Sequence, residues 1–511
     1  MERVDSQPDP MSFKQKLGLF AGPGFALCVL IFTDLNPENP VVTRTAAVAI
    51  WMATWWITEA LPIPATALLP VALFPLSGIM TGKAVAATYF NSIIFLFMGG
   101  FIMALAMQKW NLHRRIALRI ILLIGTGPRR ILLGFMIATA FLSMWISNTA
   151  TTMMMVPIAM AVIVKLREIN DQKLAGFPAA LMIGIAYSAS IGGIATLIGT
   201  PPNLSFTRIF AIYFPNAPEI TFASWFTFGL PLSVCLLILA WFLLAFIFVR
   251  RASPPSLDGS LFRQELQHMG KMKYEEKVVL FLFTLMALLW LFRTDIVVGG
   301  FTVPGWSTLM PMPSFVDDGT VAITVSLLLF AIPSKSRPND RIMEWSTASR
   351  LHWGIILLFG GGFALAAGFK ESGLSLWVAD QLTGLKDVAP VLLVGSTCTL
   401  LTFLTELTSN TATTEMILPL LGSLAVSINV NPLLLMIPAT LSASCAFMLP
   451  VATPPNAIVF GSGEVRMADM IKAGIILNLI GVVIITAFIY LLGLLVFQID
   501  PGQMPDWALP G

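Results

Sequence analysis

The sequence predicts an all-α polytopic membrane protein with two inverted-topology repeats, about 11 transmembrane helices and two re-entrant hairpins. Three observations carry that prediction. The chain is 57% hydrophobic and 11% charged, where soluble domains carry about 25% charged residues. One six-residue string occurs twice, as Ser147-Asn148-Thr149-Ala150-Thr151-Thr152 and as Ser409-Asn410-Thr411-Ala412-Thr413-Thr414. The two copies share a register of 262 that runs ungapped back to Phe95–Phe101 against Leu357–Phe363 and forward to Pro157 against Pro419.

Taken in order, residues 1–17 are polar and include Lys14 and Lys16. The apolar stretch 18–33 follows without a convincing small-residue cleavage site, so it reads as a retained first span rather than a signal peptide. Further spans are expected at 44–57, 62–79, 91–108, 178–213, 222–249, 277–293, 319–333, 352–369, 431–460 and 470–497. A bilayer core takes about 20 apolar residues per helix. Segments 131–166 and 389–427, at 36 and 39 residues, are too long for one span. Each also turns polar at its middle, where a simple helix is most apolar. A re-entrant hairpin with the duplicated string at its tip accounts for both features, because irregular backbone is tolerated at that depth only beside protein or a watery cavity.

The positive-inside rule supports this topology. With the N-terminus inside, segments 1–17, 109–131, 165–173, 250–277, 335–350 and 460–472 hold 24 of the 30 Lys and Arg. Eleven spans then place the C-terminus outside. Residues 109–120, with Lys109, Arg114, Arg115 and Arg119 among Ile116, Leu118 and Ile120, suit an amphipathic helix along the cytoplasmic face. Residues 371–386 are its counterpart. The stretch 250–277, with Pro254-Pro255 and mixed charge, reads as the linker between two halves, 40–249 and 277–497.

A duplicated polar break at membrane depth points to a transporter's binding site. Ser, Asn and Thr are favoured helix N-caps, and an apolar helical run follows each copy. The second arm therefore aims its positive dipole end at the tip, which suits an anion. The first arm ends there in carbonyls and hydroxyls that suit a hard cation such as sodium. A second repeated motif lies inside two spans, Gly199-Thr200-Pro201-Pro202-Asn203 and Ala452-Thr453-Pro454-Pro455-Asn456. Paired prolines remove amide donors and cannot continue a helix interior, so each span must unwind there.

These motifs, together with Trp56-Ile57-Thr58-Glu59-Ala60-Leu61-Pro62-Ile63-Pro64, resemble the divalent anion:sodium symporter (INDY-type) family over about 18–497. The resemblance implies a bacterial sodium/dicarboxylate carrier of the inner membrane, a homodimer with scaffold and elevator-type transport domains. It divides the chain into a tail (1–17), scaffold helices of repeat 1 (18–120), a transport part (121–249), a linker (250–276), scaffold helices of repeat 2 (277–386), a second transport part (387–497) and a C-terminal tail (498–511). By the same resemblance, one sodium falls on Ser143, Ser147, Asn148 and Gly199, and a pseudo-symmetric one on Thr405, Thr408, Asn410 and Ala452. The substrate carboxylates fall on Asn148, Thr149, Asn410 and Thr411, close to Thr200, Pro201, Thr453 and Pro454. No Lys or Arg occupies any of these positions, which favours sodium coupling over the family's sodium-independent exchange.

The function expected is import of a C4-dicarboxylate such as succinate, malate or fumarate with sodium as coupling ion and no other cofactor. Sodium-independent exchange and sodium-coupled citrate or sulfate transport stay open. The partners are the dianion, sodium, the bilayer and a second copy, with no nucleic acid. A dianion in a low-dielectric cavity needs counter-charge, and helix termini supply up to about 2 kcal/mol each in partly buried geometry. No phosphate-binding loop supports ATP drive. An intramembrane enzyme would need a buried acid, base or metal constellation, and only Glu406 and Glu415 come near one. Both are set aside: Glu415 breaks the symmetry, its first-repeat partner being Met153. Glu59 is expected at a span boundary, and His113, His268 and His352 in or beside cytoplasmic segments. The four cysteines are scattered singly, in no pattern that suggests a metal site or a disulfide framework, and read as small core residues.

Overall fold

The computed structural model describes residues 11–170, 174, 176–250, 259–298, 301–337 and 339–509. It is helical throughout apart from a two-stranded antiparallel hairpin, Ile296–Val298 with Phe301–Val303. The first half runs α1 (Phe13–Phe32), α2 (Pro40–Thr58), α3 (Ile63–Thr66), α4 (Leu69–Leu76), α5 (Gly82–Tyr89), α6 (Ser92–Lys109), α7 (Leu112–Ile124), α8 (Pro128–Ser143), α9 (Asn148–Asn170), α10 (Phe177–Ile194), α11 (Pro201–Tyr213) and α12 (Phe222–Leu244). The second runs α13 (Ser260–His268), α14 (Tyr274–Leu291), α15 (Asp318–Ala331), α16 (Trp345–Ala348), α17 (Trp353–Ser372), α18 (Leu374–Gln381), α19 (Pro390–Leu404), α20 (Asn410–Ser427), α21 (Pro432–Ala443), α22 (Pro454–Gly461), α23 (Met467–Phe488) and α24 (Leu494–Val496).

Among the described residues, seven helices are long and apolar enough to cross a membrane. Shorter apolar helices cover Ile63–Leu76, Asp318–Ala331, Pro390–Leu404 and Pro432–Ala443. Both long polar-centred segments fold as helix–turn–helix hairpins, α8–α9 and α19–α20, turning at 144–147 and 405–409. Both Pro-Pro spans break where the prolines require, α10 from α11 and α21 from α22.

Three details differ from the sequence reading. Helix α1 begins at Phe13, inside the stretch read as a tail, because Ser12 and Gln15 close a capping box over its first turn. Such a box satisfies otherwise unpaired amides at a helix start. The span read at 62–79 divides into α3 and α4, interrupted at Ala67 and Leu68. Cys28 is exposed, so it is not a core residue, whereas Cys398 and Cys445 are buried. The linker reading falls partly on 251–258, outside the described residues; α13 and the start of α14 occupy the rest.

Buried ion pairs fix the helices around the hairpins. Arg115 of α7 reaches Glu276 of α14 at 2.6 Å. Arg293 lies 2.6 Å from Asp318 at the start of α15 and 2.7 Å from Glu219. Breaking such a buried pair strands the remaining charge and costs about 3–5 kcal/mol. These anchors tie α14 to α7 and to α15. The hairpin α8–α9 packs on α10, and α19–α20 packs on α21.

Candidate functional site

Four helices begin on the wall of one cavity of about 820 Å3. Helices α9 and α20 start at the two Asn residues of the duplicated string. Helices α11 and α22 start at the first proline of each Pro-Pro pair, with Thr200 and Thr453 as their N-caps. The cavity is lined by Asn148, Thr149, Asn410, Thr411, Thr200, Pro201, Thr453 and Pro454, all eight residues expected to meet the substrate. Ser147, Gly199, Thr408 and Ala452 line it as well. Ser143 and Thr405 do not reach the wall; both are fully buried behind it.

Their positions are matched. Ser143 Oγ lies 2.6 Å from Asn148 Oδ1 and 2.7 Å from the Ala189 carbonyl. Thr405 Oγ1 lies 2.7 Å from Asn410 Oδ1 and 2.9 Å from the Ala443 carbonyl. A hydroxyl has one proton to donate, so each corner holds more oxygen lone pairs than protons. The backbone closes around the first corner. A methyl group on Gly193 would stand 2.9 Å from Asn148 Oδ1 and 3.0 Å from the Gly199 carbonyl oxygen, so only glycine leaves that space open. Oxygen-rich corners of this kind suit a hard cation.

The breaks are stitched by the last residue of each Pro-Pro motif. Asn203 Nδ2 donates to the Thr196 carbonyl at 2.8 Å and lies 3.3 Å from that of Gly193. Asn456 Nδ2 donates to the Leu449 and Ala446 carbonyls at 3.0 and 3.1 Å. Both residues are fully buried. Free carbonyls at a helix break need such donors, so these asparagines support the site rather than face it.

The second break carries a further support. Glu406 Oε1 accepts from the amides of Phe447 and Met448 at 2.7 and 2.8 Å and from Asn478 Nδ2 at 2.8 Å. Its Oε2 accepts from the Leu449 amide at 3.0 Å. The carboxylate thus does the structural work of a cap. Its sequence signal was only its place beside the string.

The far wall of the cavity is apolar, with Phe97 and Phe101 of α6 and Ile355 and Leu358 of α17. The lining also takes in the start of α1, where Ser12, Lys14 and Gln15 join Thr58 and Glu59. Glu59 ends α2 in the left-handed region, φ 51°, and this turns it into the lining. Sequence reading placed it at a span boundary without this role. His113 is half-buried, Nδ1 3.0 Å from the Met107 carbonyl, and His268 and His352 are exposed. Among the described residues, no three His, Cys, Asp or Glu side chains gather as metal ligands.

Comparison with known proteins identifies the family. Residues 27–499 match the family described as the sodium:sulfate symporter transmembrane region. The chain is 46% identical over 497 residues to the sodium-dependent dicarboxylate transporter SdcS of Staphylococcus saprophyticus, covering 96% of this chain and 93% of that one. A protein of the same name from Staphylococcus aureus is 46% identical over 504 residues, covering 97% and 94%. The fold resembles the YdaH transporter of Alcanivorax borkumensis, with TM-score 0.54, 15% identity, and 82% and 87% of the chains covered. It also resembles MtrF of Neisseria gonorrhoeae, with TM-score 0.51, 13% identity, and 81% and 84% covered. The chain therefore belongs to the sodium:sulfate symporter family, the divalent anion:sodium symporters of its motifs, and is a multi-pass membrane transporter.

Proposed function

We propose that the protein imports a C4-dicarboxylate, succinate, malate or fumarate, coupled to sodium. The observation that carries this reading is the convergence of four helix N-termini and two oxygen-rich corners on one cavity, with no Lys or Arg at the tips. The carboxylates rest on Asn148, Thr149, Asn410 and Thr411, backed by Thr200, Pro201, Thr453 and Pro454. One sodium takes Ser143, Ser147, Asn148 and Gly199, and the other Thr405, Thr408, Asn410 and Ala452. The relatives' name, sodium-dependent dicarboxylate transporter, supports this choice of ion and substrate.

Without a basic side chain at the tips, the counter-charge there comes from the bound sodium ions and the helix dipoles. Anion affinity then rises with sodium, and sodium affinity rises with the anion by the same factor. Any sodium charge in excess of the dianion makes transport voltage-sensitive, by about 2.3 kcal/mol per net charge per 100 mV.

In this reading the hairpins and broken helices, in 121–249 and 387–497, form a transport domain that moves as an elevator. The helices of 18–120 and 277–386 form the scaffold and the homodimer contact. The N-terminus is cytoplasmic and the C-terminus outside the bacterial inner membrane. A cavity lined in part by the start of α1 then lies toward the cytoplasmic side. Succinate uptake into proteoliposomes, with and without a sodium gradient and with citrate and sulfate as competitors, tests the proposal. Concentrative, sodium-dependent uptake blocked least by sulfate is expected. Counterflow indifferent to sodium would replace symport by exchange.

A further inference from the structure

Among the described residues, one buried carboxyl has an oxygen without a hydrogen-bond partner. Glu415 lies on α20, fully buried and five positions past the tip Asn410. Its Oε1 accepts from Ser205 Oγ of α11 at 3.0 Å. Its Oε2 has no hydrogen-bond partner. That oxygen lies against Gly362 of α17, in the run Gly360-Gly361-Gly362, where any side chain would collide with it. Glu406 makes the contrast plain: it is as buried, but four donors surround its two oxygens.

Among the described residues, no cation pairs with Glu415. Of the elements packed against α20, α21 has no titratable side chain, and α18 has only the exposed Asp380. Helix α17 contributes Lys370 and Glu371 at its far end, with Lys370 Nζ donating to the Ile212 and Tyr213 carbonyls. Helix α11 contributes Tyr213 and Arg208, and Arg208 lines a separate cavity beside Glu219 and Asp317. From α5, Tyr89 packs against Gly360 of the same run, and its hydroxyl donates to the Ala67 carbonyl. A buried, unpaired carboxylate costs several kcal/mol, and such groups neutralise instead.

We propose that Glu415 is a proton-binding site, carrying an exchangeable proton while α20 is seated against Ser205 and the glycine run of α17. The site takes a proton rather than a metal ion: among the described residues Ser205 is its one hydrogen-bond partner, and no three His, Cys, Asp or Glu side chains gather to hold a metal. If α20 belongs to the moving domain and α17 to the scaffold, as in the functional reading above, the proton sits at their sliding contact. Ionisation at that contact would strand a charge during movement, so uptake should fall as pH rises. The binding claim itself stands without that reading.

Infrared spectroscopy of the full-length protein in lipid tests it without any substrate. The wild type should show the carbonyl stretch of a protonated carboxyl at neutral pH, shifted in deuterated water and lost under alkaline conditions. Glu415→Gln should remove that band. Ser205→Ala removes the one donor that favours the charged form, and should move the loss of the band upward by about one pH unit, a tenfold change in proton concentration. It also provides a second variant should Glu415→Gln fail to fold. A wild type lacking the band at every pH, or a band unchanged in Glu415→Gln, overturns the proposal. So does a band abolished by added sodium at constant pH, which would make the site a sodium site.

Discussion

The two hairpins share their tips and differ in their supports. At both tips a hydroxyl sits between an asparagine oxygen and a carbonyl of the neighbouring broken helix. Behind the tips the symmetry is partial. Helix α10 stays intact to Ile194, and the first break spans six residues, 195–200. Helix α21 stops at Ala443, and the second break spans ten, 444–453. The longer break frees more amides, and Glu406 takes three of them. The first hairpin has Met144 at that position, contributing only its backbone carbonyl to Thr196 Oγ1 at 2.6 Å. The duplicated chemistry covers the cavity wall, the buried hydroxyls behind it and the stitching asparagines, while the length of the break and its acidic cap belong to the second half alone.

The largest expected effect breaks that asymmetry open. Glu406→Ala leaves three loop amides and Asn478 without their acceptor, at a cost of about 3–5 kcal/mol in stability. Met144→Ala keeps its carbonyl bond and should cost about 1 kcal/mol. Thermal unfolding in detergent compares the two. Equal losses would mean that the second break is held by something other than the carboxylate.

Next come the tips themselves, where symmetry should hold. Asn148→Ala and Asn410→Ala should each lower sodium-driven succinate uptake by about 30–100-fold, corresponding to about 2–3 kcal/mol for bonds to charged groups. Sodium and succinate saturation should weaken together in both variants, because each amide lies at a corner and on the cavity wall. A variant that loses sodium dependence alone would separate the cation sites from the anion site.

How far the sequence reaches follows the same division. The hairpins, the two breaks and the wall residues were legible, because a polar string in an apolar run and a Pro-Pro pair in a span each conflict locally with a straight helix. The supports were not. That Glu406 caps a loop 41 residues away, or that Asn203 binds carbonyls rather than a ligand, depends on contacts between elements that no local pattern encodes. Glu59 entered the lining through a left-handed backbone at the end of α2, and the strand pair at 296–303 is too short to carry a periodicity.

The stitching asparagines test whether breaks of different length are equally braced. Asn203→Ala and Asn456→Ala each leave buried carbonyls unpaired, and each should cost about 2 kcal/mol of stability. Thermal unfolding should rank them together. A much smaller loss for Asn456→Ala would mean that Glu406 alone holds the second break.

The smallest effect separates two threonines in matching places. Thr453 Oγ1 accepts from the Asn456 amide at 3.3 Å, capping α22. Thr200 makes no such bond at the start of α11, although it lines the same cavity. Thr453→Ala should therefore lower stability by about 1 kcal/mol, as the loss of an N-cap does. Thr200→Ala should leave the unfolding temperature in place and raise the succinate half-saturation instead, since that hydroxyl is free to meet the substrate. If both variants shift only stability, Thr200 faces the anion with its backbone, and the free hydroxyl has no part in recognition.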